Sequence, residues 1–320
     1  MSFLFLLVAL FVLAEATPIL YDGRAPFNLT NSDLNTSTGP YLTVVKGSQN
    51  ATHYSTLLGH LVPPTPLWNQ WGVPTEQTIS ITIDNSSVFV PGGGAPQYGF
   101  RRTEFLAQGP AGHTALIPEI EVNTTVFHFS VQTDPAKPLN YTHEYQVVFI
   151  EPNDGTHVFE LQLGSPYTNP TGTLPAPNAH ALKIRDHALN LLFSTTFIPF
   201  TWHNFAIQVD WTNRTLAVLY SQDDAPLKAV TDVLPNLSAT AGTAGQGDFH
   251  FGVLKLPLVN PADSTADQGD VVHYGIQEGT TEGLLYSGVF VESVADGISA
   301  GGGSFRPVGT SAPPLPSISE

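Results

Sequence analysis

The sequence contains no cysteine. Disulfides therefore contribute nothing to stability, and thiolate metal sites, a cysteine nucleophile and any small disulfide-stapled binding module are excluded. Positive charge is nearly as scarce, with 11 Lys and Arg against 27 Asp and Glu and a formal net charge of −16. Phosphate backbones are held by clustered cations, so nucleic acid is not an expected partner. Helix formers are also thin, with a single Met, whereas 27 Pro and 28 Gly punctuate stretches rich in Thr and Val. That balance belongs to an all-β sandwich of short strands and turns. With disulfides absent, stability must come from a packed core, which 320 residues at 42% hydrophobic can supply.

One long apolar run exists, Ser2 to Val12, followed by the small-x-small site Ala14-Glu15-Ala16. It reads as a signal peptide over residues 1–16, too short to span a bilayer comfortably. The mature chain then starts at Thr17 and carries no membrane segment. Eight Asn-x-Ser/Thr sequons, at Asn28, Asn35, Asn50, Asn85, Asn123, Asn140, Asn213 and Asn236, fit passage through a eukaryotic secretory pathway and predict exposed turns at those points. The glycine- and proline-rich stretch 296–320 reads as a low-complexity, disordered tail, leaving residues 17–295 as one domain. The expected product is a secreted monomer.

Three stretches alternate with the period of a strand, Phe100–Leu106, His143–Ile150 and His157–Leu163. Arg102 and Glu104 share one face of the first. Glu144 and Gln146 lie together in the second, opposite Tyr145, Val147 and Phe149. In the third, Glu160 and Gln162 oppose Phe159, Leu161 and Leu163. An ordinary half-buried sheet faces water with Thr, Ser and Lys; here three strands offer carboxylates, amides and a guanidinium, the groups that bind and hydrolyse sugars. His250, between Phe249 and Phe251 but on the opposite face, is free to join them. His203 shares its face with Phe205, Ile207 and Val209 and reads as structural. Trp68 and Trp71 sit in a proline-braced loop and serve either as sugar-stacking platforms or as plugs of the sandwich end. Glycoside hydrolysis needs one carboxylic acid and one carboxylate, and alternation offers three candidates, Glu104, Glu144 and Glu160. Arg102 beside Glu104 favours the charged form and makes Glu104 the base, with Glu144 the acid; a buried Arg102–Glu104 ion pair is the structural alternative. No cofactor and no metal site is expected.

The motifs FRRTEF, HEYQVVFIEPNDGTHVFELQLG, WHNFAIQVDW and GDFHFGVLKLP, in that order, resemble the fungal glycoside hydrolase family 131 of secreted β-glucanases. The resemblance covers roughly Leu20 to Val294. It implies a β-jelly roll, a concanavalin-like two-sheet sandwich with an open cleft on its concave sheet. It also implies inverting hydrolysis of β-1,3-, β-1,6- and β-1,4-linked glucans, with Glu104 and Glu144 at the positions of the family's two glutamates and a histidine contribution placed at His250. Arg102, Gln146, Glu160, Gln162, Trp68 and Trp71 are the expected substrate contacts. Two rivals differ in class. A jelly-roll polysaccharide lyase needs a Tyr or His to take a proton α to a uronate and cations to neutralise its carboxylate; the last strand lacks the tyrosine, and Lys and Arg are few. A glucan-binding lectin would use the same cleft without cleavage.

Overall fold

The protein is described by a computed structural model that covers residues 18–167, 173–242, 246–301, 304–305 and 307–309. The expected signal peptide, residues 1–16, lies outside the described residues. Two antiparallel sheets face each other across one core. The first, seven-stranded, runs in space Leu191–Thr196, Ala181–Asp186, Phe159–Gly164, Glu144–Glu151, Asp248–Lys255, Arg101–Ala107, Tyr41–Val45. The second, nine-stranded, is centred on Thr124–Thr133, flanked by His203–Asp210 and Glu282–Ser293. Spatial neighbours come from distant parts of the chain, as in a jelly roll. No helix among the described residues is long and apolar enough to cross a membrane.

Alternation explains the layering. Phe127, Phe129, Phe205, Ile207 and Tyr286 point inward from the nine-stranded sheet, and Phe105, Tyr145, Phe159, Leu161, Phe249 and Phe251 meet them from the seven-stranded one. These rings pack edge-to-face, Phe127 against Phe249 with centroids 5.0 Å apart and Phe105 against Phe251 at 5.6 Å. His203 belongs to this inner layer: its Nε2 accepts from the Ile198 N–H at 3.1 Å, and burial pushes the ring down to about 4, keeping it neutral.

One strand breaks the expected alternation. In Glu144–Glu151 the register slips between Gln146 and Val148 against one neighbour, and between Phe251 and Leu254 on the other neighbour. Val147 and Val148 both face the core, so Phe149 and Glu151 turn outward. The sequence reading placed Phe149 inside; a β-bulge adds one residue and inverts everything beyond it. At the slip, the Tyr286 hydroxyl crosses from the opposite sheet and donates to the Gly252 carbonyl, with Val147 O at 3.4 Å.

Two further expectations change. The segment after Asp296 is packed in its described part: Ile298 is buried, Ile298–Ser299 pairs with Ser304–Phe305, and Leu227 N donates to Ala300 O at 2.8 Å. Its Ile298 and Ala300 fill an apolar cluster on the outside of the nine-stranded sheet, which composition alone did not reveal. Six sequon asparagines are exposed, and Asn140 is half-buried with its amide nitrogen on Glu278. Asn236 is not available: it is buried, donating to Val158 O at 2.8 Å and accepting from His187 N at 3.1 Å, so a glycan there would displace a core bond.

A buried carboxylate against Gly288 yields a stability test. Both oxygens of Glu76 accept from Gly288 N, yet burial raises its pKa to about 7 against the opposing pull of that bond and Arg24. An acid whose pKa is raised by folding stabilises below its unfolded value and loses that contribution as pH rises through 7. Glu76→Gln should therefore gain on the parent by roughly 2 kcal/mol between pH 5 and pH 8, measured by chemical denaturation at both.

Candidate active site

The outward face of the seven-stranded sheet carries the polar side chains that the alternation singled out. Directly opposed residues share a face, so the ladders define rows across it. One row runs Leu106, His250, Phe149, Glu160, Arg185. The next runs Arg102, Leu254, Gln146, Gln162, Lys183. Glu104 lies between these rows, opposite Gly252, and Glu144 lies opposite Gly164, beyond the second. A Cβ on Gly252 would stand 2.3 Å from Thr103 O and 2.6 Å from the Glu104 Cα. Glycine at that position lets the Glu104 strand approach.

The charges fall into two groups. In the first, Arg102 grips Glu104 with Nη2–Oε2 at 2.6 Å and Nε–Oε1 at 3.2 Å, both side chains buried. His250 Nδ1 lies 2.9 Å from the same Oε2. Burial works to raise Glu104, but Arg102 and His250 overcome it and hold the carboxyl at about 2. The ion pair foreseen as a structural alternative is thus real, and the histidine closes it on one side. Glu151, a quarter exposed, completes the group: its Oε2 is 3.5 Å from Arg102 Nη2 and 3.6 Å from His250 Nε2. Phe149 stacks on the His250 ring at 4.8 Å.

In the second group Arg185 bridges two carboxylates. Its Nη2 reaches Glu144 Oε1 at 2.5 Å and its Nε reaches Glu160 Oε1 at 2.5 Å. The other oxygen of Glu144 accepts from Tyr167 N at 2.6 Å, and that of Glu160 lies 2.6 Å from His157 Nδ1. Burial pushes Glu160 up, but His157 and Arg185 carry it below the ordinary carboxylate range. Glu144 also lines a small cavity of about 160 Å³ with Tyr167, Pro166, Leu174, Pro257 and Ile276. Lys183, on the floor beside Gln162, is lowered by burial to about 8, with Arg185 adding and Glu144 opposing. Gln162 Oε1 is buried with no hydrogen-bond partner among the described residues.

The structure therefore places Arg102, Glu104, Glu144, Gln146, Glu160, Gln162 and His250 on one face, with Glu104 and His250 in direct contact and Glu144 in the neighbouring group. It separates Trp68 and Trp71 from them. Trp68 lies on the outside of the opposite sheet, edge-on to His128 and Phe290 at 5.4 and 5.0 Å, because that loop is anchored there. Sequence reasoning passed over Arg185, Lys183 and Glu151. The first two were legible, since Leu182 and Ile184 alternate with them; Glu151 was hidden by the bulge. Among the described residues no cluster of His, Asp and Glu is arranged to hold a metal ion.

Residues 19–297 match the family model described as the glycoside hydrolase 131 catalytic N-terminal domain. Similar solved structures include a GH131 β-glucanase catalytic domain from Podospora anserina, 25% identical, covering 88% of this chain and 98% of that one, with a TM-score of 0.63. Another is the catalytic domain of the glycoside hydrolase family 131 protein from Coprinopsis cinerea, 23% identical, covering 89% and 98%, with a TM-score of 0.62. No curated protein matches the sequence.

Because the close approach at Gly252 is backbone against backbone, Gly252→Ala should cost about 2 kcal/mol or more. Denaturant unfolding of the variant against the parent measures it; a loss below 0.5 kcal/mol, about the ordinary surface scatter, would mean the strands are free to part there.

Proposed function

The chain belongs to the glycoside hydrolase 131 family, and from that premise we propose that it is a secreted, monomeric enzyme hydrolysing β-glucan in the cleft over the seven-stranded sheet. The observation that carries this reading is the Glu104 group: a carboxylate kept charged down to about pH 2, tied to a histidine whose other nitrogen faces a second carboxylate. A carboxyl with that pKa cannot be the proton donor at working pH, so it serves the base side. Glu104 fixes the His250 ring through Nδ1, and the attacking water gives its proton to this pair. Glu144, at the wall of the small cavity, is the second carboxylate and protonates the leaving oxygen.

The substrate assignment rests on neutrality and on likeness. Arg102 and Arg185 are each engaged by carboxylates, which leaves little positive charge for a polyanion. The floor between them offers the half-buried amide of Gln146, suited to neutral hydroxyls, with Gln162 buried beside it. The Podospora relative is a β-glucanase. Cleavage of β-1,3, β-1,6 and β-1,4 bonds with inversion follows the family resemblance, and the two-carboxylate reaction calls for no cofactor.

A specific distance favours a second reading of the acid. Arg102 Nη2 contacts Glu104 Oε2 at 2.6 Å and Glu151 Oε2 at 3.5 Å, so those oxygens stand no more than about 6 Å apart, short of the roughly 6.5–9.5 Å that inversion requires. Glu151 as partner therefore implies retention. Glu104 and Glu144 are two strands apart, about 10 Å across the sheet. They are offset along it as well, since Glu104 faces Gly252 and Glu144 lies beyond the Lys255–Tyr145 pair. The separation therefore exceeds the retaining distance, and their side chains must lean together to enclose a sugar and a water.

Reducing-sugar release from soluble β-1,3-, β-1,6- and β-1,4-glucans should fall about 10³-fold in Glu104→Gln and Glu144→Gln with the fold intact. The first-formed anomer, read by proton NMR, should be α. A β anomer together with an active Glu144→Gln and an inactive Glu151→Gln would move the acid to Glu151. A wild-type enzyme releasing no sugar from any of the three would refute the substrate. The base must be ionised to work, so the acid limb of kcat/KM should extend below pH 4, followed by initial rates from pH 3 to 8.

A further inference from the structure

We infer that the turn at Trp71 is a second glucan-binding site, a platform that holds polymer on the side of the sandwich away from the cleft. The inference rests on the β-glucan reading above. Gln70 and Val73 exchange both backbone hydrogen bonds, at 3.0 and 2.9 Å, closing a two-residue turn whose central residues are Trp71 and Gly72. Both have positive φ, 55° and 77°, the pattern of a type I′ turn, which favours Asn-Gly. A bulky side chain is a poor choice for the first position. The ring of Trp71 gains nothing from the fold in return, since its relative exposure is 102%. A strained backbone carrying an unpacked indole points to a role outside folding.

The base under this ring is rigid. Pro63, Pro64 and Pro66 lead into the single turn Pro66–Trp68, where Leu67 is buried and Trp68 wedges against His128 and Phe290. Thr65 N donates to Ser287 Oγ at 2.8 Å and its hydroxyl to Asn204 Oδ1 at 2.6 Å. Ser287 and Asn204 lie on the outward face of the nine-stranded sheet, next in sequence to the core residues Tyr286 and Phe205, as His128 lies between Phe127 and Phe129. The whole core separates them from Glu104, so a sugar on Trp71 is not the sugar being cleaved.

The chemistry of the surroundings selects the occupant. From Leu61 to Thr75 there is no charged residue, in a chain whose formal charge is −16. Asn69 and Gln70 flank the ring with neutral amides, and Val73 is exposed beside it. A neutral, hydroxyl-rich polymer whose pyranose rings present flat C–H faces matches this: the ring face stacks on the indole, and the hydroxyls at its rim meet the amides. A β-linked glucan, with its substituents equatorial, leaves that face open.

The test compares wild type, Trp71→Ala, Trp71→Asn and Trp71→Phe by depletion from suspensions of insoluble β-glucan. The same proteins are assayed on soluble β-gluco-oligosaccharides, and their melting temperatures are taken. Trp71→Ala and Trp71→Asn should lose about five-fold or more in partitioning while Trp71→Phe keeps most of it. Hydrolysis of short oligosaccharides should be unchanged in all three, and Trp71→Asn should melt no lower than the parent, since asparagine suits the positive φ. Full retention of Trp71→Ala on the solid, with hydrolysis intact, would overturn the platform and leave the hydrolase reading standing. Hydrolysis absent from wild type while retention still depends on Trp71 would uphold the platform and sink the hydrolase reading.

Discussion

A carboxylate taken out of water must be matched by a cation at hydrogen-bonding distance, and the cleft sheet is organised by that requirement. Glu104, Glu144 and Glu160 are all buried, and Arg102 and Arg185 lie among them as bridges. Each guanidinium fixes two oxygens in its own plane, so the carboxyl groups are oriented before any sugar arrives. Removing one partner would leave the other charge buried and alone, which is why these positions come as a set. Histidines finish the pattern: His250 on Glu104 and His157 on Glu160, both stacked on Phe149.

The bulge in Glu144–Glu151 gives the first group its present form. With strict alternation Glu151 would point into the core, where an unpaired carboxylate could not remain. One added residue turns Phe149 and Glu151 onto the polar face, putting a ring under His250 and a partly wetted acid beside its Nε2. A regular strand would have placed Phe149 and Glu151 on the side opposite Glu144 and Gln146; the bulge brings all four to one face.

The two-sheet architecture and most of the polar face could be read from residue order, because period-two alternation depends only on which neighbours are apolar. Glu104, Glu144, Glu160 and His250 were found that way. Arg185 and Lys183 follow the same rule, alternating with the buried Leu182 and Ile184. The bulge was not legible, since Val147 and Val148 are equally apolar and either could face the core. Nor was the burial of Asn236, whose sequon looks like every other, or the docking of Ile298 and Ala300, whose glycine-rich setting resembles a tail. In those cases the deciding partner lies far away in the chain: Val158 for Asn236 and Leu227 for Ala300.

The Tyr286 hydroxyl has a consequence for how the enzyme can vary. It belongs to the sheet that never meets the cleft, yet it braces the carbonyl of Gly252, the residue against which the Glu104 strand rests. The cleft floor is therefore keyed to the far layer at this point by a phenol crossing the core. Drift of the two sheets relative to each other, as core side chains are exchanged over evolutionary time, would be transmitted through that strut to the Glu104 carboxylate. Residues behind the core are thus free to repack only along paths that leave the strut in place.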